Sequence, residues 1–234
     1  MSAISCRNLC KTFSQGDQTI VGLDNVSLTI EAGSFTCLSG PSGSGKTTLL
    51  NAMGGLDTPD SGEITVGDQQ VDRLTRAELA DMRLHNIGFV FQAYNLIPVL
   101  SASENIEFVM QVQGASKADR QQRVAEVLAE VGLSGMESRL PAQLSGGQQQ
   151  RVAVARAIAS KPELVLADEP TANLDSKSAA GLMDLFVDLN VRRGITFVIA
   201  THDTRVMDRA RRLISMRDGC IINDELRELK NEAL

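Results

Sequence analysis

Gly40-Pro41-Ser42-Gly43-Ser44-Gly45-Lys46-Thr47 satisfies the pattern G-x-x-x-x-G-K-[ST] in full. Its glycines let the backbone curl until successive N–H groups converge on phosphate oxygens. A helix starting near Lys46 adds the positive end of its dipole. Lys46 is placed to reach β- and γ-phosphates, and the Thr47 hydroxyl to ligate Mg²⁺. The bland alternative is a Gly/Ser-rich turn with no ligand. The flanking sequence argues against it, because Phe35 to Leu38 reads as a short apolar strand and Lys46 to Met53 as a helix. Strand, glycine loop and helix in that order are the context a phosphate cradle needs.

Upstream of the loop the chain is strand-rich. Val26, Leu28 and Ile30 alternate with Ser27 and Thr29, the period of a half-buried antiparallel strand. Downstream, Glu63 to Val66 and Ile87 to Phe91 read as strands, with a short helix over Thr75 to Leu84 between them. Leu96 to about Gly132 looks helical, broken near Gly114. Ser116 followed by Asp119 resembles a capped start, and Val124, Val127, Leu128 and Val131 form one apolar stripe for the core. Pro141 ends that segment, and Gly146 to Ala159 forms another helix.

The remainder alternates: strand Leu164–Ala167, helix Ser176–Arg192, strand Ile195–Ala200, helix Asp203–Ala210, strand Leu213–Met216. This is the rhythm of an α/β protein, a parallel sheet with helices on both faces. The helical stretch of about 96–160 interrupts it and reads as an inserted subdomain. Residues 1–95 and 161–234 then form the core of a single domain. Asp224 to Leu234 reads as a short amphipathic tail.

Composition narrows the function classes. The chain has 234 residues, is 43% hydrophobic and carries a net charge of −6. It lacks the basic stripe with which nucleic-acid binders neutralise phosphates, so no nucleic-acid partner is expected. Cys6, Cys10, Cys37 and Cys220, with His85 and His202, match no zinc spacing, and the cysteines read as reduced, buried thiols. Met1-Ser2-Ala3-Ile4-Ser5 runs straight into strand-like sequence, so no signal peptide is expected. No apolar run approaches the roughly 20 residues that span a bilayer.

Leu164-Val165-Leu166-Ala167-Asp168-Glu169 is an apolar strand ending in two acids. A parallel strand delivers its C-terminal residues to the rim where ligands sit. Asp168 is the candidate for the Mg²⁺ shell, and Glu169 the candidate to orient and deprotonate an attacking water.

Between the glycine loop and this acid pair lies Leu144-Ser145-Gly146-Gly147-Gln148. With Gln92 after Phe89-Val90-Phe91, Asn173-Leu174-Asp175, and His202 after Ile199-Ala200-Thr201, the chain resembles ABC-type ATPases over nearly its whole length, specifically the ATP-binding subunit of a transporter. The resemblance implies a RecA-like P-loop core with an N-terminal antiparallel β subdomain and an inserted helical subdomain. It implies ATP and Mg²⁺ as ligands, and two sites in a head-to-tail dimer. Each site would pair Gly40–Thr48 of one copy with Ser145, Gly146, Gly147 and Gln148 of the other. Ser145 would donate to the γ-phosphate and Asp175 would bridge the two sites. Gln92 is expected at Mg²⁺ or the water, His202 at the γ-phosphate and Glu169, and Phe13 stacked on adenine.

Leu96-Ile97-Pro98-Val99-Leu100 packs apolar residues into an expected loop, either core or a docking groove. The family resemblance favours a groove, with Gln92 to Ile106 receiving a transmembrane permease subunit's cytoplasmic helix. The protein would then sit on the cytoplasmic face of the inner (plasma) membrane. The run Ile87 to Leu100 together with Leu144 to Arg151 is similar to the lipoprotein-release and macrolide-export branch. A soluble ATPase of the same superfamily acting on ribosomes or DNA is the alternative. A P-loop kinase or GTPase would leave Ser145–Gln148 and His202 without a task.

Overall fold

The computed structural model describes residues 2–16 and 18–227. In chain order the elements are β1 (Ser2–Gln15), β2 (Gln18–Glu31), β3 (Phe35–Ser39), α1 (Lys46–Met53), β4 (Ser61–Val66), β5 (Gln69–Gln70), α2 (Arg76–Asn86) and β6 (Ile87–Phe91). There follow α3 (Ala102–Val112), α4 (Lys117–Glu130), α5 (Gly146–Ala159), β7 (Leu164–Asp168), α6 (Ser176–Arg193), β8 (Thr196–Thr201), α7 (Thr204–Met207), β9 (Arg212–Arg217) and β10 (Cys220–Leu226).

They build two sheets. One is antiparallel, in the order β2-β1-β4-β5; the other has the order β10-β9-β3-β8-β7-β6. In the second, β3, β6, β7, β8 and β9 run parallel, and β10 adds an antiparallel edge. The expected parallel sheet is present, with that one addition.

Burial along the central strands explains the layering. Phe35, Cys37, Val165, Ala167, Phe197 and Ile199 enter a core shared with α3, α4, α5 and α6. Their neighbours Leu38, Leu164, Leu166, Val198 and Ala200 enter a second core with α1 and the antiparallel sheet. A strand buried on both faces sends alternate residues to different layers, so each strand serves both cores. Helix starts follow side-chain chemistry. Thr75–Glu78, Ser101–Glu104 and Ser145–Gln148 form reciprocal capping boxes, and Ser116 accepts from the Asp119 amide.

Four expectations are corrected. Leu96–Leu100 is not helical; α3 begins only after Ser101, because Pro98 disfavours helix before it and Ser101 is the cap. The Asp203–Ala210 helix shortens to Thr204–Met207. Asp224–Leu226 belongs to β10, paired with β9, while residues 228–234 of the expected tail lie outside the described residues. Of the cysteines, Cys6 and Cys37 are buried, and burial pushes both thiols up to about 12, but Cys10 and Cys220 are half-exposed. Among the described residues, no helix is long and apolar enough to cross a membrane.

Candidate functional site

β3 ends at Ser39 and the glycine loop follows at once. Gly40 (φ 150°) and Gly45 (φ 98°) adopt conformations closed to most side chains. A Cβ at Gly40 would strike the Met216 carbonyl and the Ser44 hydroxyl; one at Gly45 would strike the Gly22 carbonyl. The loop closes through Ser44 N–H donating to Pro41 O, and its outer side is braced by Gly219 N–H on Ser44 O at 3.1 Å. Lys46 is buried and folds back, its Nζ 2.7 Å from Gly40 O and 3.0 Å from Pro41 O.

Two observations test the fit to a phosphate chain. Among the described residues the Ser44 hydroxyl is buried without a hydrogen-bond partner, and Gly45, the residue before α1, gives that helix no side-chain cap. A buried donor and uncapped first-turn amides are what an anion would satisfy. The residues fit the group.

The acid pair faces this loop. Thr47 Oγ1 donates to Asp168 Oδ1 at 3.1 Å. Burial holds the Asp168 carboxyl above the usual carboxylate range, with the neighbouring Glu169 charge adding to it and the Thr47 hydrogen bond and Lys46 opposing. Glu169 takes a left-handed backbone (φ 45°), rare for a residue with a Cβ, while its N–H donates to Ala200 O. That turn lifts its carboxylate off the sheet end toward β8. His202 Nδ1 lies 2.8 Å from Oε1, and Thr201 Oγ1 donates to Oε2 at 3.0 Å.

Phe13, Gly22, Ser42, Gly43, Ser44, Gly45, Lys46, Thr47, Thr48, Gln92, Asp168, Glu169 and His202 share one cleft of about 440 Å³. Gly40 and Pro41 stand behind it, supplying the carbonyls that Lys46 holds. Phe13 is 40% exposed at the cleft mouth, with Lys11 Nζ 5.5 Å from its ring centroid. Gly22 has no Cβ because the Phe13 ring edge occupies that space. Gln92 Nε2 donates to Asn173 Oδ1 at 3.5 Å, and the Gln92 backbone carbonyl accepts from Asn173 Nδ2 at 3.0 Å.

Ser145, Gly147 and Gln148 are not in this cleft. They line a separate hollow of about 560 Å³ with Lys177, Ser178 and Gly181. Ser145 Oγ accepts from the Gln148 amide, and Gly146 packs against the Tyr94 hydroxyl. Asp175 is the N-cap of α6: Oδ1 accepts from the Lys177 and Ser178 amides and Oδ2 from Ser178 Oγ, contacts that hold its carboxyl below the usual range. His85 is surface-exposed beside Asp81, away from the cleft.

Three functional neighbours escape sequence reasoning. Thr201 reads as an ordinary strand residue, and its contact with Glu169 needs the β7–β8 register. Gln150 on α5 is buried and donates to Pro170 O at 2.7 Å, just past the acid pair. Asn173 bonds Gln92, an interaction between residues 81 positions apart.

The ABC transporter family model matches residues 23–172. The macrolide export ATP-binding/permease protein MacB of Burkholderia pseudomallei (strain 1710b) is 46% identical over 216 residues, covering 92% of this chain and 33% of the relative. Its Escherichia coli counterpart is 45% identical over 221 residues, covering 94% and 34%. The chain thus spans about a third of these relatives' length. Among solved structures, the dimeric post-hydrolysis state of the ATP-binding cassette MJ0796 bound to ADP and Pi superposes with a TM-score of 0.89 and 42% identity, over 95% of this chain and 98% of that one. A P-loop facing an acid pair, with sequence likeness running through both, settles the matter: the chain belongs to the ABC transporter family, as an ATP-binding ATPase cassette.

Proposed function

We propose that two copies of this cassette close head-to-tail on two Mg-ATP molecules and that hydrolysis reopens them, driving an export permease of the macrolide-export or lipoprotein-release type. The observation that carries this is the separation of two phosphate-directed surfaces on one chain. The cleft holds Lys46, Asp168, Glu169 and His202, while the Ser145–Gln148 helix tip opens onto a different hollow. A two-fold axis that brings one copy's tip to the other's cleft completes two sites at once.

Within a site, Lys46 exchanges its two loop carbonyls for β- and γ-phosphate oxygens. The Ser44 hydroxyl and the first amides of α1 satisfy further oxygens. Thr47, Asp168 and Gln92 are the residues that would hold Mg²⁺, which would supply positive charge to offset the negative charge developing on the phosphate oxygens. Water attacks the γ-phosphorus, the bond to the β–γ bridging oxygen breaks, and the proton leaves the water for the Glu169 carboxylate. His202 orients Glu169 at rest and donates to the γ-phosphate in the closed site. Ser145 and the amides of Gly146 and Gly147, from the second copy, complete the charge-stabilising shell. Asp175, committed to its own α6, positions the start of that helix at the seam between copies. Phe13 supplies the face on which adenine stacks.

The permease would dock at Gln92 to Ile106, within a helical unit of about 96–160 carried by the core of 1–95 and 161–234. Val99 is 78% exposed there, and Leu96 and Ile97 are half-buried beside it. The cassette would therefore lie on the cytoplasmic face of the membrane.

Sizing chromatography of Glu169→Gln with saturating Mg-ATP tests the central claim. An ATP-dependent dimer is expected, because binding persists while hydrolysis stops. A variant that stays monomeric overturns the reading.

A further inference from the structure

We infer that Thr201 is a positioning residue for hydrolysis: it keeps the Glu169 carboxylate aimed while His202 leaves it for the phosphate. This rests on the reading of Glu169 as the general base.

The direction of the Thr201 hydroxyl is decided by counting protons. The Asp203 N–H donates to Thr201 Oγ1 at 3.0 Å, taking up a lone pair of that oxygen. A hydroxyl has one proton, and the acceptor in reach is Glu169 Oε2 at 3.0 Å. Each side of the donor is itself fixed. Asp203 caps α7 through the Arg205 amide and accepts from Thr171 Oγ1, so its N–H cannot wander. Thr201 is the last residue of β8, in register with Ser39 of β3, the residue before the glycine loop. Its β-branched side chain is held at χ1 inside the sheet.

The two contacts on Glu169 differ in exposure. Thr201 is fully buried, whereas the His202 side chain is 69% exposed. Water competes with the histidine contact and not with the threonine one. If His202 turns toward a phosphate, Oε1 loses its partner and becomes the oxygen free to take a proton from water. Thr201 then supplies the remaining anchor, at Oε2. The strained backbone of Glu169 needs such an anchor, because nothing in its local conformational preference holds it there.

The test compares Thr201→Val, Thr201→Ser, Glu169→Gln and Thr201→Val/Glu169→Gln in steady-state ATPase assays, with ATP affinity measured separately. For Thr201→Val we expect kcat to fall about 10–100-fold, the scale on which losing an outer-shell hydrogen bond that orients a metal-binding side chain lowers activity. KM and ATP affinity should stay within about twofold, since the contact acts on the reacting group and not on bound nucleotide. Thr201→Ser, which keeps the hydroxyl, should restore kcat, and the double variant should be no slower than Glu169→Gln alone. Wild-type kcat in Thr201→Val beside an inactive Glu169→Gln overturns the inference and leaves the base standing. Equal loss of ATP affinity in Thr201→Val and Thr201→Ser makes the role structural and also overturns it. A Glu169→Gln that hydrolyses ATP at the wild-type rate removes the base itself.

Discussion

His202 Nδ1 stands 2.8 Å from Glu169 Oε1, across the register that sets β7 beside β8. The pair joins the residue after the last position of β7 to the residue after the last position of β8. β7 ends at Asp168 opposite Ala200 and β8 runs one residue further, to Thr201, so the parallel register brings both next residues to one rim and the left-handed turn at Glu169 aims its carboxylate at His202.

The first prediction concerns that contact. Removing one preorganised donor from a site of developing charge typically costs about 2.7–4 kcal/mol, or about 10²–10³ in kcat. His202→Ala should lose ATPase activity on that scale. ATP affinity should persist, because Lys46, Ser44 and the α1 amides do not depend on the histidine. Equilibrium binding beside a turnover assay separates the two. A variant hydrolysing ATP at a rate near wild type would remove His202 from the mechanism.

The second prediction follows from a fork at the sheet edge. Arg212 Nε and Nη2 bond Asp224 Oδ1 and Oδ2 at 2.8 and 2.7 Å, and Nη1 donates to Thr29 O, tying the β9–β10 hairpin to β2. The Arg212 hydrogen bonds hold the Asp224 carboxyl below its ordinary value of 3.8. A depressed carboxyl contributes stability above its unfolded value and loses it as pH falls through the lower folded one. Asp224 is 40% exposed in its side chain, so solvent screening limits the pair to about 0.5–1 kcal/mol. Asp224→Asn should be less stable than wild type by that amount at pH 7 in urea unfolding. The gap should close as pH drops below about 4, the unfolded carboxylate range. A gap that stays constant down to acid pH would assign the effect to something other than the ion pair.

What could be read from the chain follows the reach of each interaction. α1 and α5 were legible to the residue because a local signal marks both ends: a glycine loop or capping serine before, and the loss of apolar period after. β10 was not, since Cys-Ile-Ile-Asn-Asp-Glu-Leu places acids where a strand usually carries β-branched residues. It is an edge strand, and pairing with β9 overrides its weak propensity. The cleft residues were legible as motifs, and Lys46, Thr47, Asp168, Glu169 and His202 do meet. Thr201 and Gln150 were not, because their contacts arise from tertiary packing rather than from spacing. The Leu96–Leu100 run was legible as an apolar loop, although the wider stretch from Leu96 read as helical; what holds the loop's shape was not legible, because it is pinned from below by one buried amide.

That amide gives the third prediction. Asn105 is fully buried on α3, and its side chain uses both ends. Oδ1 accepts from the Ile97 amide at 2.8 Å, while Nδ2 donates to the carbonyls of Ile97, Leu100 and Ser101. A loop that exposes Val99 keeps one shape because this side chain closes it from inside. Asn105→Ala keeps the helix but strands the Ile97 amide and the Leu100 carbonyl, while the Ile97 carbonyl keeps the Leu100 N–H. Leaving buried polar groups unpaired costs about 1–3 kcal/mol, so urea unfolding should show a loss in that range. Limited proteolysis should cut faster within residues 96–100, because the loop samples open states once its internal bonds are gone. A variant with wild-type stability and wild-type resistance there would mean that water reaches the site and replaces the amide, and that the loop is shaped by something else.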